Sequence, residues 1–348
     1  GIDDRLKQFG GMALAIITYV AISQAGYIVT TRIASTASEA APIIYQQHWM
    51  LLQVPYGIIG VTLLTAIMPR LSRNAADGDD KAVVRDLTLG TKLTFIALIP
   101  IIVFMTALGP DIGHALFAYG NFDGDTARTL GLTISFSAFT LIPYALVMLH
   151  LRVFYAREEA WTPTMIIAGI TATKIVLSYL APMVADSTQS VVVLLGAANG
   201  FGFIAGALIG AFLLRRKLGT LEAATIMRTS LWAAGAGLIG IAVTFLIRWL
   251  VRDVAGINVP RALGSLIGLP SLGFLIEVAI LGILFLIVTG LVLSRSKLPE
   301  VQNLGRALQR IPGMSRFIRP DEDRALEVGE VDLRDVSNQF LASDTFNA

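Results

Sequence analysis

Eight predominantly apolar windows recur along this chain, near residues 10 to 33, 41 to 70, 87 to 109, 126 to 153, 162 to 184, 191 to 214, 229 to 251 and 271 to 294. At ~1.5 Å rise per residue, each can cross the ~30 Å hydrocarbon core of a bilayer as a helix. Lipid offers the backbone no hydrogen-bond partner, and a helix satisfies its own, so the expected fold is an all-α integral membrane protein with eight transmembrane helices. Composition agrees: 55% of the residues are hydrophobic and only 15% are charged, against ~25% charged in soluble domains. A net charge of +2, with the basic residues set beside apolar runs, does not suit nucleic acid. Cysteine is absent and histidine occurs only at 48, 114 and 150, which excludes disulfides and a thiolate metal site. Neither metal nor cofactor is expected. The chain begins at Gly1, and its first apolar run is too long for the ~7 to 15 residue core of a signal peptide, so it reads as a piece of a longer protein.

Short connections set the orientation. Arg5 and Lys7, then Arg70, Arg73, Lys81 and Arg85, then Arg152 and Arg157, then Arg215, Arg216, Lys217 and Arg228, and finally Arg295 mark one side, whereas residues 36 to 40, 110 to 125 and 185 to 190 carry neither Lys nor Arg apart from the chain's helices. Positive charge stays inside, so both termini are expected in the cytoplasm. Arg248, Arg252 and Arg261, around the connection of the last two windows, break the alternation; either they meet lipid headgroups on the outer face or they are tolerated because orientation is fixed upstream.

The stretch from Ala41 to Arg73 asks for two surroundings. Its first half sets Tyr45, Gln46, Gln47, His48 and Gln53 into an apolar helix, with Pro55, Gly57 and Gly60 close behind to bend the backbone. Its second half is apolar until Pro69, Arg70 and Arg73. Such a helix needs a wet cavity along one part and cytosol at its foot. In the first window, Gln24, Tyr27 and Thr31 share a face at helical spacing. In the fifth, Lys174 lies near the bilayer midplane, where a charge costs at least ~2.5 kcal/mol unless it meets water or a partner. The candidate cavity residues are therefore Gln24, Thr31, Gln46, Gln47, His48, Gln53 and Lys174, with Pro55, Gly57 and Pro143 as bends.

Other features have plainer readings. Pro100 is expected to bend the third helix, and Lys92 to snorkel to the headgroups. His150 reads as interfacial, with Arg and Glu pairing at the helix foot where Arg152, Arg157, Glu158 and Glu159 cluster, and Gly202, Gly206 and Gly210 form a small-residue packing stripe. Leu298, Val301, Leu304, Leu308 and Ile311 stand at helical spacing among arginines, as in an amphipathic helix on an anionic leaflet. From Asp321 the chain is acidic and poorly apolar, a flexible linker.

Several pieces together resemble the carboxy-terminal part of the MurJ/MviN lipid II flippases, within the group of multidrug and oligosaccharidyl-lipid exporters. They are Ser23 with Gln24, Val54 to Gly57 with Gly60, Met68 to Arg73 as MPRLSR, and Phe154 to Pro163 as FYAREEAWTP, and they cover residues 10 to about 215. The resemblance implies a second six-helix lobe over 1–217, an additional helix pair over 218–296, an amphipathic segment over 297–320 and an acidic cytoplasmic linker over 321–348, with the amino-terminal lobe absent. It further implies a non-enzymatic, multi-pass transporter of the bacterial plasma membrane, whose partners are an undecaprenyl-pyrophosphate-linked peptidoglycan precursor, membrane lipids and the missing lobe.

Family members often carry an Asp-Arg pair five to six residues before the proline of the second helix, and the Arg is held to contact pyrophosphate. This chain has Trp49 and Met50 there, which leaves Gln47, His48 and Gln53 as the nearest polar groups and Lys174 as a replacement charge. The acidic tail resembles actinobacterial members that continue into a cytoplasmic regulatory region. Two functions follow: a flippase for the lipid-linked precursor, or for another polyprenyl-linked saccharide, working by alternating access; or a non-transporting scaffold whose tail recruits cytoplasmic cell-wall regulators.

Overall fold

A computed structural model of the chain describes residues 1–60, 62, 65–117, 124–268, 272–296, 298, 299 and 301. Its helices are α1 (Ile2–Ala37), α2 (Ala41–Ile59), α3 (Thr65–Ala76), α4 (Asp80–Phe117), α5 (Gly124–Ser137), α6 (Leu141–Ala156), α7 (Trp161–Val184), α8 (Thr188–Leu218), α9 (Ala223–Trp249), α10 (Val259–Ile267) and α11 (Leu272–Ser294). No strand occurs among the described residues. Among the described residues, seven spans are long and apolar enough to cross a membrane: 2–37, 80–116, 124–156, 161–184, 188–218, 223–254 and 272–294. Each contains one of the eight expected windows. The exception is 41–70, where α2 ends at Ile59, the backbone widens to π geometry at Gly60 and Thr62, and α3 begins at Thr65. Proline withdraws a donor and glycine adds no side chain to steady the turn, so a stretch carrying Pro55, Gly57 and Gly60 has few means of holding one continuous helix.

The chain forms two compact units: residues 1–56, 68–91 and 108–221 make the first, and 57–67, 92–107 and 222–348 the second. In the first, α8 is the central helix, with α5, α6 and α7 packed on it and α1 laid against α7. Ser187 caps α8 by accepting from the Ser190 amide at 3.2 Å, and Arg215, Arg216 and Lys217 occupy its last turn, where they offset the carbonyl end of the dipole. Its glycines meet their neighbours as the stripe predicts: Gly202 lies against the Ile170 carbonyl and Lys174 Cβ, Gly206 against Ile170 and Val147, and Gly210 against His150. Phe154, Leu52, Leu71, Leu141, Leu149 and Leu195 fill the core around them.

The second unit packs α9 against α11, and α10 against the start of α11. Gly240 admits Phe285 and Thr289, and Phe285 in turn meets Phe104 at 5.3 Å between ring centroids. Leu298 and Val301, expected on a membrane surface, are buried with Ile96, Ala236 and Leu293 because that apolar cluster offers them closer contact than lipid would. The rest of the amphipathic segment and the acidic linker lie outside the described residues.

Three local expectations change. α4 bends at Leu108 (φ −111°, ψ 18°), not at Pro100, because the adjoining Gly109 and Pro110 combine backbone freedom with a missing donor. Lys92 is buried (6% exposed) instead of reaching for headgroups. His150 is buried against α8 and takes no part in the charge pairing at the foot of α6.

Candidate functional site

The polar half of α2 and the middle of α7 meet. Tyr45 and His48, one helical turn apart, are both buried, and their rings stand edge to face with centroids 4.8 Å apart. The Lys174 Nζ of α7 lies 5.7 Å from the Tyr45 ring centroid, within cation–π range. Gly202 of α8 lies beside the Lys174 stem, a close approach that a larger residue would crowd. The ammonium has no carboxylate partner among the described residues.

His48 is fixed by a hydrogen bond between Nδ1 and the Tyr45 carbonyl, which makes Nδ1 the donor and leaves Nε2 an acceptor. That Nε2 faces α8 at Gly196, has no hydrogen-bond partner among the described residues, and shares the approach to Gly196 with the buried Ser137 Oγ. His48 therefore lies inside the helix bundle of this unit, not on a wet surface. Gln53 sits one turn and a half further along α2 and is half-buried, with the Tyr144 hydroxyl of α6 donating to its Oε1 at 3.5 Å.

Gln24 and Gln46 are exposed, and Thr31 and Gln47 are partly so. The structure thus brings Lys174 and His48 together around Tyr45 and places Gln53 against α6. The remaining candidates are exposed or partly exposed, with no contact that joins them to this group among the described residues. Pro55 and Gly57 precede the π turn, and a short 3-10 segment, Ala138–Thr140, precedes Pro143.

Sequence reasoning missed an aromatic group. Trp49 stacks on Phe203 (5.8 Å, 10° between planes) and meets Tyr144 edge-on at 5.3 Å; Tyr144 also meets Phe203 at 5.1 Å and Tyr56 at 4.8 Å. Its members come from α2, α6 and α8, so no single helix carries the pattern. Trp49 supplies an apolar platform against Tyr144, whose hydroxyl also reaches Gln53. A separate cavity of about 400 Å³, bordered by Leu132, Phe136, Val184 and Ser190, shares none of these residues.

Sequence reasoning also missed Asp86. This carboxylate is fully buried, accepts from Asn74 Nδ2 at 2.7 Å through Oδ2, and faces Arg70 Nη2 at 2.6 Å through Oδ1. The Arg70 contact lies off the hydrogen-bonding axis of Oδ1, so it is an ion pair more than a hydrogen bond. Arg157 joins the same end by donating Nε to the Ala75 carbonyl at 3.0 Å and pairing with Asp80. The MPRLSR and FYAREEAWTP segments therefore converge in space.

A family profile described as "Lipid II flippase MurJ" matches residues 1–258. Among curated relatives, the Burkholderia cenocepacia protein named "Lipid II flippase MurJ" is 26% identical over 151 residues, 43% of this chain and 29% of that protein. Proteins named "Probable lipid II flippase MurJ" from Buchnera aphidicola subsp. Baizongia pistaciae and from Thermotoga maritima are 29% and 26% identical over 165 and 175 residues. Those matches cover 47% and 50% of this chain and 31% and 36% of the relatives. The chain thus spans about a third of the length of the curated relatives it matches. A solved structure, "Lipid II flippase MurJ, inward closed conformation", shares the fold with a TM-score of 0.59 at 18% identity, over 78% of this chain and 51% of that one. With the profile covering residues 1–258 of 348, this chain belongs to the MurJ lipid II flippase family.

Proposed function

We propose that this chain supplies one six-helix lobe (1–217) and an additional helix pair (218–296) of a flippase that carries an undecaprenyl-pyrophosphate-linked peptidoglycan precursor across the bacterial plasma membrane. The observation that carries the reading is Lys174. Its ammonium stands in the middle of α7 beside Tyr45, without a carboxylate among the described residues. A cation at that depth calls for water or an anion, and a pyrophosphate headgroup is an anion. The protein's part is binding and passage, with no covalent step: Lys174 offers charge, Gln24, Gln46 and Gln53 offer hydrogen bonds, and the Trp49 platform offers an apolar surface. Alternating access brings the lobe to face a second lobe around this site.

Lys174→Met in the full-length protein should abolish precursor export with membrane expression intact, and Lys174→Arg should retain part of it because charge matters more than shape here. Normal growth on Lys174→Met as the only copy would refute the assignment. The basic connections support an orientation with both termini in the cytoplasm. A cysteine placed at Gly78 should resist an impermeant thiol reagent in intact cells while one at Asp186 is labelled; the reverse labelling would invert the topology.

A further inference from the structure

The outer turns of α9 and the helix that follows the α10 segment enclose a small mixed pocket within the second unit. It holds about 100 Å³ and is lined by aliphatic side chains, among them Ile247, Val251 and Leu281, together with Arg248, Arg252 and Glu277. Two guanidinium groups face one carboxylate, so the lining carries a formal surplus of one positive charge.

The acid does not use up its arginine. Arg252 Nη2 reaches Glu277 Oε1 at 3.3 Å in a single contact, not the paired fork that a guanidinium and a carboxylate form at their best. The Arg252 side chain is 49% exposed, and its other N–H groups make no further hydrogen bond among the described residues. Arg248 lies with its guanidinium 4.9 Å from the Phe245 ring centroid, so its stem and plane are held while it borders the same space. The backbone between them winds as a π segment, Leu250–Val254, which widens the helix at the point where the two arginines flank the opening.

The surroundings identify the depth. Trp249, Leu250, Val254 and Ile257 are exposed beside the pocket, and Leu266 at the end of α10 is exposed at 83%. Exposed Trp and Leu next to arginine, at the end of a spanning helix, is the composition of the headgroup boundary. A surplus cation there, bordered by aliphatic wall, fits one phosphate on an apolar chain. A space of about 100 Å³ is roughly the liquid volume of three waters, which suits a phosphate and not a saccharide headgroup.

We propose that this pocket holds the phosphate of an anionic glycerophospholipid of the surrounding membrane, gripped by Arg248 and Arg252, with its acyl chain along the aliphatic wall. Glu277 keeps Arg252 oriented when no phosphate is present. The site belongs to the second unit, shares no residue with the Lys174 group, and does not depend on the transport reading, because its readout is lipid retention.

The test uses the full-length protein purified from its membrane and exchanged into nanodiscs of mixed phosphatidylglycerol and phosphatidylcholine, with retained lipid counted by native mass spectrometry. Arg248→Gln should lower phosphatidylglycerol retention about fivefold, the effect of removing one interfacial arginine; the double variant Arg252→Gln/Glu277→Gln loses a phosphate donor but no net charge and should lower it about threefold, with phosphatidylcholine unchanged in both. The double variant removes both charges of the pair, so no buried carboxylate is stranded to cause misfolding. Retention within twofold of the parent in both variants would overturn the proposal. So would displacement of phosphatidylglycerol by undecaprenyl phosphate at a tenfold lower concentration than phosphatidylglycerol itself requires, since the occupant would then be a polyprenyl phosphate.

Discussion

Two buried acids in this molecule, Asp86 and Glu277, are each met by an arginine, and they are built to opposite purposes. Asp86 is fully buried, and both of its oxygens are engaged, by Asn74 at 2.7 Å and by Arg70 at 2.6 Å. Glu277 is nearly as buried, yet the arginine that meets it at 3.3 Å, Arg252, is itself half-exposed. Desolvating a carboxylate is expensive, and what offsets it is the number and geometry of the groups that replace water. The first arrangement replaces water almost completely and fixes α3 to α4. The second leaves its cation free to turn toward another anion. Burial alone does not say whether an acid is a lock or an adjustable contact; the partner's own freedom does.

That contrast can be broken by mutation. Asp86→Ala should have the largest effect, about 3 kcal/mol of lost stability on denaturant titration in detergent, because it strands Arg70 and Asn74 together. A loss below about 1 kcal/mol would mean that the network is not the lock described. Glu277→Gln should change stability by about 1 kcal/mol or less, since it removes a desolvated charge and leaves an arginine that already reaches the surface. A loss comparable to that of Asp86→Ala would erase the distinction between the two pairs. The smallest effect belongs to Lys217→Gln, which breaks the pair between Lys217 and Glu159, both about one-third exposed; about 0.3 kcal/mol is expected by the same titration.

What the chain reveals before folding depends on whether the signal is local. Seven of the spans were legible because apolar runs report burial or lipid contact residue by residue, and Lys174 was legible because a charge in such a run is exceptional. The end of α2 within 41–70 was legible only as a bend: Pro55, Gly57 and Gly60 announce one, but Pro55 continues within α2 and the π geometry appears five residues later, at Gly60. Asp86 follows Asp79, Asp80 and Arg85 in a hydrophilic stretch, where nothing local distinguishes it from a solvated acid; only the return of Arg70 and Asn74 in space shows that it is interior. The Trp49, Tyr144 and Phe203 group draws one ring from each of three helices, and no periodicity along one helix can announce it.

The connection between α6 and α7 carries one more consequence. Glu158 adopts φ 60°, the left-handed conformation usually left to glycine, and the amides of Glu158 and Glu159 return to the carbonyls of Tyr155 and Phe154 in the pattern that closes a helix. That reversal fans three successive side chains outward: Arg157 to Asp80 and the end of α3, Glu158 to Gln8 of α1, and Glu159 to Lys217 of α8. The connection therefore works as a spacer gauge. Any one of its side chains can be exchanged at modest cost, but a single inserted residue would put all three out of step with the helix ends they measure.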